Sequence, residues 1–331
     1  MKKKILILGS GIAGCIAYHT FRSESVQIIE AKEKPKDKID HHAAIMRLRN
    51  EDVAKFIGAD CKKISITKAI YYQGKVEVQS NLQLNNLYSI KLYDEIGKRS
   101  ILNLNQSERF ILTNGFPIPE NIIFGERVIK INKNEVITAG GNSYDFDFCI
   151  STLPMSILYD QIAPPNFDEP IGFHSSEIYV IRFSIEISCS VNQTIYYPDK
   201  NIPIYRITLQ NKVVIVESIK KFDKALIDYS ISLFCKSFGI DAQYLSSLPE
   251  ENSQSELKIG KIRSIPENMR IRYILWLTDH LNVYSFGRFS VWKPLRTDEL
   301  LDDISKIKKI ISAKDVEIDY KLRLRRASEN G

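Results

Sequence analysis

The sequence predicts an α/β chain, a Rossmann-like dinucleotide-binding domain joined to a second, mostly antiparallel β-sheet domain that receives the substrate. Three observations carry this prediction: a glycine fingerprint near residue 9, a middle third dense in β-branched and aromatic residues, and a strand running into Gly287-Arg288. The fingerprint is the strongest of them. An apolar strand (Ile5 to Leu8) enters Gly9-Ser10-Gly11-Ile12-Ala13-Gly14, a helix follows, and a second strand (Val26 to Ile29) ends on Glu30. Gly9 lets the chain turn sharply out of the strand, Gly11 lets backbone approach a pyrophosphate, and Gly14 lets helix and strand pack closely. The amides at the helix N-terminus are suited to phosphate charge. Glu30 stands where a ribose-binding acid is expected, roughly 20 residues beyond the first glycine. No arginine directly follows it, which argues against a cofactor carrying a 2′-phosphate.

With 331 residues and 44% hydrophobic content, the chain can bury a sizeable core. After Met1-Lys2-Lys3-Lys4 the apolar run is too short for a signal peptide or a membrane span, and no later run is longer. Five scattered cysteines with no CxxC pair suggest reduced thiols in a cytoplasmic protein and no metal site. The formal charge of +6 includes a basic run, Lys321 to Arg326. Such a run suits an anionic substrate, nucleic acid or simply solvent. Nothing in the sequence specifies an oligomeric state.

Beyond Glu30 a lysine-rich loop (Lys32 to Lys38) leads to Asp40-His41-His42-Ala43-Ala44-Ile45-Met46-Arg47-Leu48-Arg49. Asn50 can cap a short helix from Glu51 to Phe56 that stops at Gly58. Residues 64–79 and 101–112 alternate as strands do, and Arg127 to Gly141 reads as a hairpin around Asn132 to Asn134. Tyr144 to Pro154 is an apolar strand ending in a polar turn, suited to a buried parallel strand. Residues 173–220 predict three or more antiparallel strands, with a helix over Lys224 to Phe238 packed on them. Arg272 to Leu277 and Asn282 to Phe286 read as strands, and a last helix runs from Thr297 to Ile311 with Thr297 or Asp298 as its cap. The expected division is 1–60, 120–160 and 275–331 for the nucleotide domain, and 61–119 and 161–274 for the substrate domain.

Three separated pieces resemble one group, the FAD-dependent amine oxidases, protoporphyrinogen oxidases and UDP-galactopyranose mutases. They are the N-terminal fingerprint, Phe148 to Pro154 with its Ser151-Thr152-Leu153-Pro154 turn, and Val283 to Trp292 with its glycine-arginine pair. Tyr196 to Thr208 is also similar to a substrate-domain strand pair of the mutase-like and protoporphyrinogen-oxidase-like branches. The resemblance implies FAD as cofactor, with Gly287, Arg288 and Trp292 closing over it and the Val128 amide meeting the adenine. The sequence also departs from the pattern. Tyr18 stands where the group often has a small residue, and HHAAIMRLR replaces the usual arginine and double glycine beneath the flavin. The long helical inserts of typical amine oxidases are missing.

If FAD is bound, the chemistry is the flavin's and the protein supplies position, electrostatics and an acid or base. His41 or His42 is the first choice for a base or substrate contact, with a surface pair as the alternative reading; His174 and His280 stand further back. Arg47, ahead of Arg49, can hold a phosphate or carboxylate bidentately, or can be surface charge. Tyr205 and Arg206, with Tyr197 nearby, offer an aromatic wall and a cation to a ligand, although tyrosines on strands are often packing residues. Lys91 and Arg99 are weaker candidates.

The expected activity is therefore oxidation, or oxidative cleavage, of a C–N-bearing substrate by hydride transfer to flavin. The compact chain and HHAAIMRLR resemble flavoproteins of tailed phages, some of which are FAD-dependent lyases on amino-acid-modified thymine in DNA. That resemblance implies a small-molecule or modified-base substrate. Two alternatives stay open: non-redox mutase chemistry on a sugar nucleotide, and an FAD-bound sensor or scaffold without turnover.

Overall fold

The computed structural model describes residues 2–33, 47–114, 117–162, 170–190, 192–247, 249 and 254–329, with backbone alone at 247, 258 and 315–329. The chain begins β1 (Lys4–Leu8), α1 (Ile12–Phe21), β2 (Ser25–Glu30), α2 (Asp52–Ile57), β3 (Cys61–Tyr72), β4 (Lys75–Glu77), α3 (Leu82–Tyr93) and β5 (Ser107–Leu112). Next come β6 (Ile122–Phe124), β7 (Val128–Asn132), β8 (Glu135–Thr138), β9 (Ser143–Asp145), β10 (Phe148–Ser151) and α4 (Met155–Gln161). The remainder is β11 (Ser175–Ile185), β12 (Asn192–Tyr196), β13 (Ile204–Gln210), β14 (Val213–Ser218), α5 (Lys224–Phe238), β15 (Leu245–Ser247), β16 (Ser255–Ile262), α6 (Glu267–Leu281), β17 (Val283–Ser285) and α7 (Leu300–Glu329).

One sheet is parallel throughout, in the order β17-β10-β1-β2-β6. Its central strand is apolar at every position because both faces are covered. Ile5 and Ile7 join a cluster with α1, α2 and α7, whereas Leu6 and Leu8 join one with β7, β8, α4 and α6. The second sheet is larger and mixed, β15-β11-β14-β13-β12-β3-β4, with β16 beside β11 and β5 beside β3. One face packs on α5 through Ile195, Tyr197, Ile207, Val216 and Phe234. On the other face α3 covers one part, through Tyr88, Tyr205 and Ile215, and leaves the rest open.

The fingerprint strand, the hairpin and the returning strand fold as their patterns predict, and α5 spans the predicted residues. Asp223 caps α5, its side chain accepting from the Leu226 N–H at 2.8 Å. Two expectations are corrected. Arg272 to Leu277 is helical, inside α6, because its buried positions Arg270, Tyr273 and Leu277 recur at helical spacing while Ile271 and Leu275 face outward. The last helix extends well past Ile311 to Glu329, since no glycine or proline interrupts the chain before Gly331. Its first turn is 3₁₀, Thr297–Glu299, and the Glu299 carboxylate accepts from the Arg296 N–H at 2.6 Å. The Asn50 side chain accepts from Asp52 N–H at 3.3 Å, but α2 takes Glu51 as its N-cap and ends, as expected, on left-handed Gly58.

Lys91, a secondary site candidate, is structural. Its Nζ donates to the carbonyls of Tyr197, Asp199 and Ile204 at 2.6, 2.9 and 2.7 Å, tying α3 to the β12–β13 connection. Burial pulls its ammonium down to about 7, while three acceptors take one proton each, which only the charged form supplies. Lys91→Met should lower stability by about 2 kcal/mol or more, read as a shift in urea midpoint, because it strands those carbonyls.

Candidate functional site

At the C-terminal end of β1 the chain turns through Gly9, whose φ of +93° is a left-handed conformation natural to glycine. A Cβ on Gly14 would lie 2.0 Å from the Gly9 carbonyl oxygen, so no side chain fits there. A Cβ on Gly11 would meet nothing within 4 Å, because Gly11 fronts an open cavity. Ser10 N–H and Oγ both donate to Glu30 Oε2 at 2.8 Å, and Lys32 N–H donates to Oε1 at 3.0 Å. Glu30 thus clamps the turn, and three of its roughly four acceptor positions are taken within the chain.

The cavity has a volume of 780 Å³ and is walled by Gly11, Ile12, Ala13, Thr152, Gly287, Arg288 and Phe289 on the parallel-sheet side. Gly287 comes as close to the fingerprint as a residue can: a Cβ there would lie 2.7 Å from that of Ala13, and its φ is +91°. Thr152 hangs from the turn after β10, its Oγ donating to the Leu8 carbonyl at 2.6 Å. The predicted turns at 9–14, 151–154 and 287–288 therefore converge on one space, with the unbonded amides of the first turn of α1 beside it. That is a cradle for the pyrophosphate of a dinucleotide.

The opposite wall is the open face of the mixed sheet. Ile66 and Lys68 on β3, Thr194 and Tyr196 on β12, Arg206 and Thr208 on β13, and Ile215 and Glu217 on β14 line an adjoining pocket of 280 Å³. Arg47, Lys68, Arg99, Arg109 and Tyr196 border both spaces. Glu217 is buried and receives the Tyr205 hydroxyl at 2.7 Å and Arg206 Nη2 at 2.6 Å. Burial alone would raise its pKa; Arg206 outweighs that, and the carboxyl titrates below its ordinary range.

Arg47 enters this face from the chain before α2, donating to Thr194 Oγ1 at 3.0 Å and, at 3.4 Å, to Gln210 Oε1. Burial first, then Arg206, pulls its guanidinium down to about 10. Arg49 also lines the larger cavity, as do Arg296 and Asp298.

Several candidates sit elsewhere. Tyr197 is turned to the other face by the two-residue period of its strand, and its hydroxyl bonds Ser237 beneath α5 at 2.6 Å. Tyr205 shares a face with Arg206 because β13 is irregular between Ile204 and Arg206, yet it is buried against Tyr88 and holds Glu217 rather than a ligand. Trp292 belongs to the core, with its indole N–H on the Arg263 carbonyl at 2.9 Å and its ring edge-on to Phe173. Val128 is buried in β7, its carbonyl bonded to Gln161. Tyr18 packs, partly buried, beside α1's cluster. His280 stacks on Trp276, and neither it nor His174 borders the cavity. His41 and His42 lie outside the described residues.

Lys68, Arg109, Tyr196 and Glu217 were not singled out by the sequence. Their signal is a polar residue at an inward position of an alternating strand, readable only once the inward face is known. Among the described residues no cluster of metal-ligating side chains occurs, and all five cysteines are free thiols. No described helix is long and apolar enough to cross a membrane.

No protein-family model matches the chain, and neither does any curated protein sequence. Solved structures do. Reduced UDP-galactopyranose mutase superposes with a TM-score of 0.71 at 14% identity, covering 94% of this chain and 96% of its own. A fatty acid isomerase of P. acnes that produces CLA gives 0.60 at 10% identity, covering 92% and 97%. CtdE in complex with FAD gives 0.51 at 13% identity, covering 92% and 82%. The chain thus shares the fold of these proteins, a parallel nucleotide-binding sheet facing a larger mixed sheet across a cavity.

Proposed function

We propose that this chain is an FAD-dependent oxidoreductase acting on a C–N-bearing substrate. The observation that carries the reading is the convergence of Gly11, Thr152 and Gly287-Arg288 on one cavity whose far wall is a polar sheet face. Gly9 to Gly14 and Glu30 would hold the adenosine diphosphate half, with Gly287 and Arg288 near the other half. The Arg288 Nε is buried and, among the described residues, unpartnered, as a group awaiting a ligand would be. Residues 1–60, 120–160 and 275–331 would serve the cofactor, and 61–119 with 161–274 the substrate. FAD, when bound, supplies the hydride acceptor.

The chain's own residues bind and orient the substrate against the sheet. Thr194, Tyr196 and Thr208 present hydroxyl groups to it, while Arg206 is held in place by Glu217. The surrounding cations favour the neutral form of a substrate amine, the form whose lone pair drives loss of hydride from the adjacent carbon. An amino-acid-modified thymine, free or in DNA, falls within this substrate class. Mutase-type chemistry on a sugar nucleotide is the second reading, supported by the near full-length likeness to UDP-galactopyranose mutase.

The visible spectrum of the purified protein tests the cofactor: bands of oxidised flavin and FAD released on denaturation are expected, whereas a colourless protein that binds NAD would sink the reading. Bleaching of those bands by an amine without oxygen supports the oxidoreductase. Turnover of a sugar nucleotide only after dithionite reduction supports the mutase, and a flavin inert to all substrates supports a sensor.

A further inference from the structure

The smaller pocket on the sheet face is charged out of proportion to its size. Five cations, Arg47, Lys68, Arg99, Arg109 and Arg206, border 280 Å³ together with one carboxylate, Glu217. That carboxylate is already taken by Arg206 and by the Tyr205 hydroxyl. Among the described residues the other four have no carboxylate partner. Arg47 bonds only neutral oxygens, Lys68 Nζ reaches the Asn105 carbonyl at 3.3 Å, and Arg109 reaches the carbonyl of Glu108 at 2.6 Å.

These cations repel one another. Lys68 titrates below its ordinary range through burial, Arg109 and Arg47, and the Arg47 guanidinium is lowered in the same way. Solvated surface charge would not crowd like this, because unpaired cations brought together in a half-enclosed space raise the energy of the ligand-free protein. Ser107 adds a second sign, since its buried Oγ in the same pocket has no hydrogen-bond partner among the described residues. A hydroxyl and four unneutralised cations around one space are complementary to an oxyanion of multiple charge.

We propose that this pocket is the anchoring subsite of the substrate, and that the substrate carries a group of at least two negative charges, a phosphate ester, a diphosphate or a pair of carboxylates. Its role as a substrate site rests on the flavoenzyme reading; its affinity for the anion does not. The anion would sit on the sheet side, with Arg47, Lys68, Arg99 and Arg109 shared between it and the larger cavity, so that the rest of the substrate extends toward Gly287-Arg288. Arg206, paired with Glu217, serves as a fixed donor, and the four free cations supply the net attraction.

Calorimetric titration of the flavin-loaded protein with inorganic pyrophosphate, and separately with succinate, tests this. The loaded cofactor fills the glycine cradle and leaves the sheet pocket as the anion site. Saturable binding of one equivalent is expected, weakened about tenfold or more by Arg109→Gln or Lys68→Gln. Both variants should keep the flavin spectrum, and their urea midpoints should stay level or rise, since each removes a repelling charge; a merely structural cation would lower them. Tighter binding of pyrophosphate marks a phosphate-bearing substrate, and tighter binding of succinate a dicarboxylate. Absence of binding by both anions, or binding indifferent to both substitutions, overturns the proposal while a normal flavin spectrum leaves the cofactor reading standing. A colourless protein overturns the cofactor reading, and dependence of pyrophosphate binding on Arg109 and Lys68 then still decides the pocket.

Discussion

Gly14→Ala should yield a protein that holds no flavin and has lost much of its stability. The added methyl would lie 2.0 Å from the Gly9 carbonyl oxygen and 3.1 Å from its carbon, both backbone atoms of the turn itself. Neither can retreat cheaply, because the Gly9 N–H is tied to the Ile29 carbonyl at 2.8 Å and Ser10 is tied to Glu30. Overpacking of this kind costs about 3 kcal/mol or more. Gly11→Ala separates folding from binding. Its methyl meets no protein atom within 4 Å, so the urea midpoint should match the parent, while the group projects where a pyrophosphate must approach. A steric cost of about 1–3 kcal/mol would weaken FAD roughly ten- to a hundredfold, measured by titrating the apoprotein with FAD. Parental FAD affinity in Gly11→Ala would refute the close approach of backbone to phosphate.

The second large effect is expected at Glu217. Removing its carboxylate in Glu217→Ala leaves Arg206 without a counter-charge, facing Arg47, beneath α3. Loss of one member of a buried ion pair costs about 3–5 kcal/mol, and the crowding of like charges puts this case at the upper end. Glu217→Gln keeps an acceptor for Tyr205 and should recover part of the loss. The pH dependence has a definite sign. Because the folded carboxyl titrates below the ordinary 4.5, the unfolded chain binds the extra proton first on acidification. The contribution is fully present above that value and disappears as pH falls through the lower, folded pKa. Urea midpoints of the parent should therefore drop more steeply over this acid range than those of Glu217→Gln. Equal slopes would mean that Glu217 is protonated in the folded protein.

Local patterns were legible wherever one or two neighbours decide a residue's environment. Gly9 to Gly14, Glu30, Thr152 and Gly287 reveal themselves by backbone demands that few other residues meet, and α5 by its cap, its apolar stripe and Gly239. Where two periods compete, the reading failed. IRYILWL has the β-branched and aromatic content of a strand, yet it folds as a helix because Tyr273 and Leu277 bury one stripe against β17's cluster. Tyr197 and Tyr205 are attractive as a pair in sequence, but one strand's alternation and another's irregularity assign each to packing and bring Tyr196 to the cavity instead.

The sequence by itself determined the nucleotide cradle, since a tight turn, a close backbone approach and a helix N-terminus are local properties of six consecutive residues. It also determined that β-rich segments would form a second sheet. Only the tertiary structure decided which face of that sheet is open, and with it the substrate wall. Arg47, Lys68, Arg99, Arg109 and Arg206 come from five separate segments, and their shared charge exists only after β3, β5 and β13 are aligned side by side. Charge acts through space, so a cationic pocket assembled from distant strands leaves no mark on any one stretch of chain.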